Sequence, residues 1–441
     1  MLSKLGSGIP WLVLRYSSFF LFPIPFLASQ IFAIQGASPA ELVFSIAAAA
    51  FLASLAFGVV AIAGKRSGGA TFFVSRASFG VSANNLPLLL VVISRVLLAV
   101  GLLFALSGLV TQYFQNQNLA AVSVVVVAFG AGWLSIANKN LETAGAICLV
   151  ALFLIAASLS FSFQSEIGPQ TVRGLPMLSS VSILFSFFAL LLGTAAADDS
   201  ERLDHRVRGW KIVLAITLSS TISAIFGANF FAQVVFSAPI MQFATLISLV
   251  FIFVLNQKSL LKQLSTSMPR IPSSTALPIV GFLQAIAVFV FFNNFALDIS
   301  LIRDLVKLAL VPAIAFVGII SSETLIRRVA FHDVSLAHSY GLYRPLNPWN
   351  LAGFIVSMFI AMALTPMERL TFPVFGLLIE LAPQPIFWRY SNFGLAMGFV
   401  CAFLVPVIFG IRRIRKQESA VLEIERRKTL LQNSEIGVLN D

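Results

Sequence analysis

The chain has 441 residues, 58% of them hydrophobic and only 11% charged, with 43 phenylalanines. No water-soluble domain of this length needs so much apolar surface, and runs of about 20 apolar residues, enough to cross a hydrocarbon core, recur from end to end. The runs do not alternate, which excludes a transmembrane barrel, and the formal charge of +11 sits in the connections between them, where it reports orientation and not a nucleic-acid partner.

Apolar spans are predicted at 11–34, 41–64, 86–110, 119–137, 144–162, 175–197, 210–235, 240–261, 276–293, 303–320, 348–365 and 393–411. About twelve helices with short connections make one integral-membrane domain over 1–411, an all-α polytopic architecture. A charged, helix-prone tail follows over 412–441, with Glu423 one turn before Arg427; it is expected to be solvated or to skim the membrane. The first run outlasts a signal-peptide core and lacks a small-residue cleavage site, so no cleavable signal is expected.

Basic residues divide by side. Lys65, Arg66, Arg76, Lys139, Arg202, Arg206, Arg208, Lys211, Lys258, Lys262, Arg270, Arg327, Arg328 and Arg344 cluster around the even-numbered connections. Arg412, Arg413, Arg415, Lys416, Arg426, Arg427 and Lys428 add to them in the tail. The other side holds Arg173, Arg303, Lys307, Arg369 and Arg389. By the positive-inside rule both termini are expected in the cytoplasm, in a multi-pass protein of the cell membrane.

In chain order, the first span carries "FLFPIPFLASQ". Pro23 and Pro25 remove backbone donors from its middle, which predicts a kink or a break. A broken helix at membrane depth can line a cavity, or the kink can be purely structural. The connection "SRASFGVSANNLP" opens the third span, inside which Arg95 lies about nine residues, or roughly 13 Å, from the predicted cytoplasmic end. Arg95 has two readings: snorkelling or structural pairing, and a gate or a ligand for an anionic group. The sixth span contains Ser186, Gly193 and Thr194 but no internal proline, and ends in Asp198 and Asp199, carboxylates expected to be solvated unless they carry protons. Asn256, near the end of the eighth span, is either an interhelical hydrogen bonder or a ligand. The apolar stretch within 366–392 is short, and an interfacial or re-entrant piece is expected there.

Two cysteines, Cys148 and Cys401, lie in apolar runs, and three histidines, His205, His332 and His338, lie in polar connections. They form neither a disulfide framework nor a metal site. No nucleophile, base and orienting residue converge, so an enzyme is not expected, nor a cofactor.

Three stretches resemble the nucleobase:cation symporter-1 family, the purine/cytosine permeases and their hydantoin and allantoin relatives. "SRASFGVSANNLP" resembles its Arg-Ala-Ser-Phe-Gly-Val-Arg-Gly segment, with Ser82-Ala83 in place of Arg-Gly. "AAADDSERL" (195–203) resembles the Ala-Asp-Tyr-Ser-Arg-Tyr run ending the sixth span. Arg327-Arg328, Gly341-Leu342-Tyr343 and Asn347-Pro348-Trp349 fill the places of an Arg-Arg pair, a Tyr-Gly-x-Tyr and an Asn-Trp. The resemblance implies a LeuT-type fold of two inverted five-helix repeats plus two C-terminal helices, with a site near mid-membrane and alternating access.

It also implies where a flat heterocycle would bind. The family's third-span tryptophan and glutamine fall at Leu98 and Leu102, its sixth-span tryptophan at Phe188 and its eighth-span asparagine at Asn256. One aromatic wall and one amide are kept. The family's Ser-Thr sodium ligands fall at Val250 and Phe251, which offer no oxygen to a hard cation. Proton coupling, known in the same family, is therefore the expectation over sodium. The implied function is proton-coupled symport of a nucleobase-like or related heterocyclic solute. The alternatives are a same-fold carrier of an amino acid or other metabolite, or a membrane sensor or assembly partner that no longer transports.

Overall fold

Hydrocarbon offers the backbone no partners, so a chain with these runs satisfies its amides within helices. The structure, a computed structural model, describes residues 8–34, 38–115, 117–136, 145–151, 153, 177–201, 203, 207–233, 238–267, 273–294, 299–338, 341–383 and 385–438. Every regular element among the described residues is helical. Eight helices there are long and apolar enough to cross a membrane, and Leu119–Gly130, Ala276–Val290 and Pro348–Ala363 are shorter apolar helices. Together they coincide with every predicted span except 144–162, most of which lies outside the described residues.

The first span is discontinuous. Helix α1 (Ile9–Leu21) ends at Phe22, whose φ of −121° and ψ of −72° leave the helical region, and α2 (Pro23–Ile34) starts on Pro23. Pro25 cannot donate to the Leu21 carbonyl, which lies against the backbone of a later helix at Gly227; a Cβ there would stand 2.4 Å from the Leu21 oxygen. Helix α3 (Pro39–Ser67) opens on a capping box: the Glu41 amide donates to Ser38 Oγ at 3.3 Å and the Ser38 amide to Glu41 Oε2 at 3.0 Å. The short α4 (Thr71–Phe79) leads into α5 (Asn85–Phe114), and α6 (Gln117–Ile136) follows.

The second half repeats the scheme. Helix α7 (Met177–Leu191) stops, the chain makes a tight 3-10 turn at Gly193–Ala195, and α8 (Ala196–Ser200) resumes. Then come α9 (Gly209–Gln233), α10 (Ala238–Ser267), α11 (Ser273–Asn294), α12 (Ile299–Ile326), the short α13 (Asp333–Ala337) and α14 (Pro348–Ala363). The described residues of 366–392 form turns and the seven-residue α15 (Pro385–Ser391), with no span-length helix among them. Helix α16 (Phe393–Val405) passes through a π turn at Pro406–Gly410 into α17 (Ile411–Val438), so the boundary at 411 falls inside a continuous helix.

Packing follows repeat position. Helix α9 packs on α1, α2 and α3, and α7 and α8 pack on α3, which groups the first two spans of each half. Helices α5, α6, α10 and α11 form a second mutual group, the third and fourth spans of each half. Helix α12 lies across both, against α3, α5 and α7, and also carries α14 and α16.

The connection before α5 is fixed by polar contacts. Ser75 Oγ donates to Asn84 Oδ1 at 2.8 Å, and Asn84 Nδ2 donates to the Phe72 carbonyl at 3.0 Å. The Val81 amide donates to the Arg344 carbonyl, and the Ser82 and Ala83 amides share the Pro345 carbonyl, all at 3.1 Å. Gly80 makes this approach possible: its φ is +102°, and an added Cβ would sit 2.5 Å from the Pro345 oxygen. Gly80→Ala is therefore expected to cost about 1–3 kcal/mol and lower the melting temperature of the detergent-purified protein. Gly101→Ala is the control; a Cβ there meets nothing within 4 Å, and melting should be unchanged or slightly raised.

Candidate functional site

The broken sixth span closes around one arginine. Arg95, on α5, is fully buried and reaches inward; it does not snorkel. Its Nη1 donates to Asn256 Oδ1 at 3.1 Å. Nη2 donates to Thr194 Oγ1 at 2.6 Å and to the Leu191 carbonyl at 3.4 Å. Asn256 Nδ2 returns a bond to the Arg95 carbonyl at 2.8 Å, which fixes the amide's orientation. Gln263 Nε2 donates to the Thr194 carbonyl at 3.2 Å. Side chains of α5 and α10 thus satisfy two carbonyls that the turn in the sixth span takes out of the helical ladder.

Apolar walls flank this cluster. Leu98, one turn along α5 from Arg95, is fully buried, and Leu102 is half-buried against the core. Phe188 on α7 is fully buried and meets Phe20 of α1 edge to face, with ring centroids 5.0 Å apart. Leu98, Phe20 and Phe188 belong to one continuous apolar cluster. With Arg95, Leu98, Phe188 and Asn256 all at 0% exposure, the centre is closed to solvent. Val250 and Phe251 are half-buried among apolar neighbours, and no described His, Cys, Asp or Glu residues group as a metal site.

Asp198 and Asp199 are not solvated, contrary to expectation. Asp198 Oδ1 accepts from the Thr71 amide at 2.7 Å and the Thr71 hydroxyl at 3.0 Å, and Lys262 stands 3.7 Å from its other oxygen. Asp199 faces Arg15 at 3.1 Å and accepts from the Tyr16 hydroxyl at 3.0 Å. The reason is α8, which folds against α3 and carries both carboxylates inward. They pin the sixth span to the first, to α4 and to α10. Arg15 was the signal sequence reasoning passed over, a charge inside the first apolar run.

The same face holds a second polar knot. Glu323 accepts from Arg327 at 3.1 Å, Arg413 at 2.7 Å and Asn350 at 3.1 Å, and Arg327 also donates to Gln417 at 2.7 Å. The Arg327 guanidinium lies over the rings of Phe331 and Tyr343, at 4.8 and 5.7 Å from their centroids. Burial pushes the Tyr343 phenol above its ordinary value, so it stays protonated. Asn347 and Asn350 donate to the Ser78 carbonyl at 2.6 and 2.8 Å. The stretches around Phe79-Gly80, Asp198-Asp199 and Arg327 to Trp349, distant in sequence, therefore interlock on one face. A separate apolar groove of about 1000 Å³, lined in part by Phe51, Leu52, Val181, Leu214 and Val400, includes none of the Arg95 group.

Comparison with solved structures gives an alignment over 94% of this chain and 93% of Mhp1 in its closed conformation, with a TM-score of 0.63 and 16% identity. The chain shares the fold of Mhp1. That structure is described as a nucleobase-cation-symport-1 family transporter with bromovinylhydantoin bound. The inward-facing conformation of Mhp1 matches over 92% of this chain and 90% of its own, at a TM-score of 0.61 and 15% identity. An Eremococcus coleocola manganese transporter, in complex with an aromatic bis-isothiourea substituted compound, matches over 92% and 94% at 0.53 and 13%. No family model and no curated protein matches the sequence. The Arg95 cluster sits at the break of the sixth span, and Phe20, at the end of α1, meets Phe188 of α7.

The interlocked face yields a stability test. Asp199→Ala removes the carboxylate that faces buried Arg15, and a loss of about 3–5 kcal/mol is expected. A fall in melting temperature relative to Asp333→Ala, a change at an exposed position, checks it.

Proposed function

We propose that this protein is a divergent member of the nucleobase:cation symporter-1 family: a secondary active transporter in the cell membrane, both termini cytoplasmic, that carries a small heterocyclic solute by alternating access. The observation that carries the reading is a buried polar cluster at the break of the sixth span, in an Mhp1-like fold whose first span is also discontinuous. Discontinuous helices at mid-membrane are where such carriers hold their cargo.

Roles follow from position. Phe188 and Leu98 supply the walls, with Leu102 one turn further along α5, and Asn256 and Arg95 supply the polar recognition. The Pro23 and Pro25 break lets the first span bend at the site. Asp198 and Asp199, held by Lys262, Thr71, Arg15 and Tyr16, close the basic face, and opening toward that face requires these contacts to part. Protons are the proposed coupling ion, because Val250 and Phe251 place hydrocarbon where sodium would need oxygen ligands.

Uptake into proteoliposomes tests this. A panel of cytosine, uracil, xanthine, hydantoin, allantoin, nicotinate and orotate is offered under an imposed pH gradient. At least one member should accumulate, accumulation should collapse with a protonophore, and replacing sodium by choline should leave it unchanged. Absence of binding and flux for the whole panel overturns the heterocycle reading; a strict sodium requirement overturns the proton assignment.

A further inference from the structure

Four cations among the described residues are fully or almost fully buried: Arg15, Arg95, Lys307 and Arg327. Three of them face a carboxylate. Arg15 meets Asp199 at 3.1 Å, Lys307 meets Asp304 at 3.7 Å, and Arg327 meets Glu323 at 3.1 Å. Arg95 is the exception. Its hydrogen bonds go to an amide, a hydroxyl and a backbone carbonyl, all neutral; its Nε is buried with no partner, as is that of Arg327, so the missing counter-charge is what sets Arg95 apart. Asp198, one turn beyond Thr194, attracts it only at longer range and is itself engaged by Thr71 and Lys262.

A guanidinium taken out of water without a counter-charge costs several kcal/mol, and more so inside a membrane span. The neutral partners around Arg95 satisfy part of its fork and none of its charge. A buried Arg with a donor left over is matched by a planar carboxylate, which accepts two parallel bonds from the fork. The side chains nearby, Leu98 on the same face of α5 and the Phe20–Phe188 pair, suit a flat apolar ring and not a second charge.

We propose that the natural solute is an anion: a small flat heterocycle bearing one carboxylate, whose charge neutralises Arg95 when it binds at the break of the sixth span. The proposal rests on the carrier reading above and deepens it by naming the charge of the cargo.

The test uses matched pairs that differ in the carboxylate: orotate against uracil, and nicotinate against nicotinamide. Affinities are measured on the full chain in nanodiscs at neutral pH by calorimetry, for wild type, Arg95→Lys and Arg95→Gln. In wild type each acid should bind at least tenfold tighter than its neutral partner. Arg95→Lys should keep a reduced preference and Arg95→Gln should bring the ratio to about one. Neutral members binding as well as or better than the acids overturns the anion proposal and leaves the carrier reading standing. If no member binds wild type, the heterocycle reading falls and the proposal with it. Should Arg95→Gln fail to fold, the wild-type ratio and Arg95→Lys decide: equal affinities in wild type, or a preference that Arg95→Lys leaves unchanged, overturn the assignment.

Discussion

A helix interrupted inside hydrocarbon leaves amides and carbonyls that water cannot reach, and each must find a partner in the protein. The described residues include two such interruptions, after Leu21 and after Leu191, and each is met by other parts of the interior. The backbone of α9 closes on the first at Gly227. The second is met from outside by Arg95 on α5 and Gln263 on α10. These two long helices belong to the other packing group, so the break in the sixth span also joins the two halves of the helix assembly. A polar residue in a membrane span is expensive unless it satisfies something equally expensive, and here it does.

The interlocked face works by a different principle. Its contacts are buried ion pairs and side-chain amides on backbone carbonyls, groups that contribute little net stability but tolerate few alternative arrangements. Thr71 with Asp198, Asn347 with Ser78 and Arg413 with Glu323 each join residues at least 90 positions apart. Such contacts fix how the short α4 and α8 sit between the spans. Apolar packing alone would let these pieces slide, since one hydrocarbon neighbour is much like another.

The spans were legible because a 20-residue apolar run has one stable outcome in a bilayer. The first break was legible because Pro23 and Pro25 cannot donate. The second was not: the sixth span has no internal proline, and Gly193 and Thr194 are common enough in membrane helices that only tertiary contacts reveal the turn. The resembling stretches single out Leu98, Phe188 and Asn256; the structure buries all three and brings Asn256 onto Arg95. The identity of Arg95's partners was out of reach, because Asn256 lies 161 residues away and no local pattern encodes that pairing. Asp198 and Asp199 misled for a related reason: a position at the end of a span says where the chain leaves the apolar layer, not whether a short helix turns it back.

The last span never truly ends. Its helix continues through the π turn into α17, and the first turns of that extension are clasped to the body by Arg413 on Glu323, Gln417 on Arg327, and Glu418 on the Arg328 and Val329 amides. Most of residues 422–430 are exposed. The clasp ties the base of this arm to the end of α12, the helix that lies across both packing groups, so the arm and α12 share one set of polar contacts.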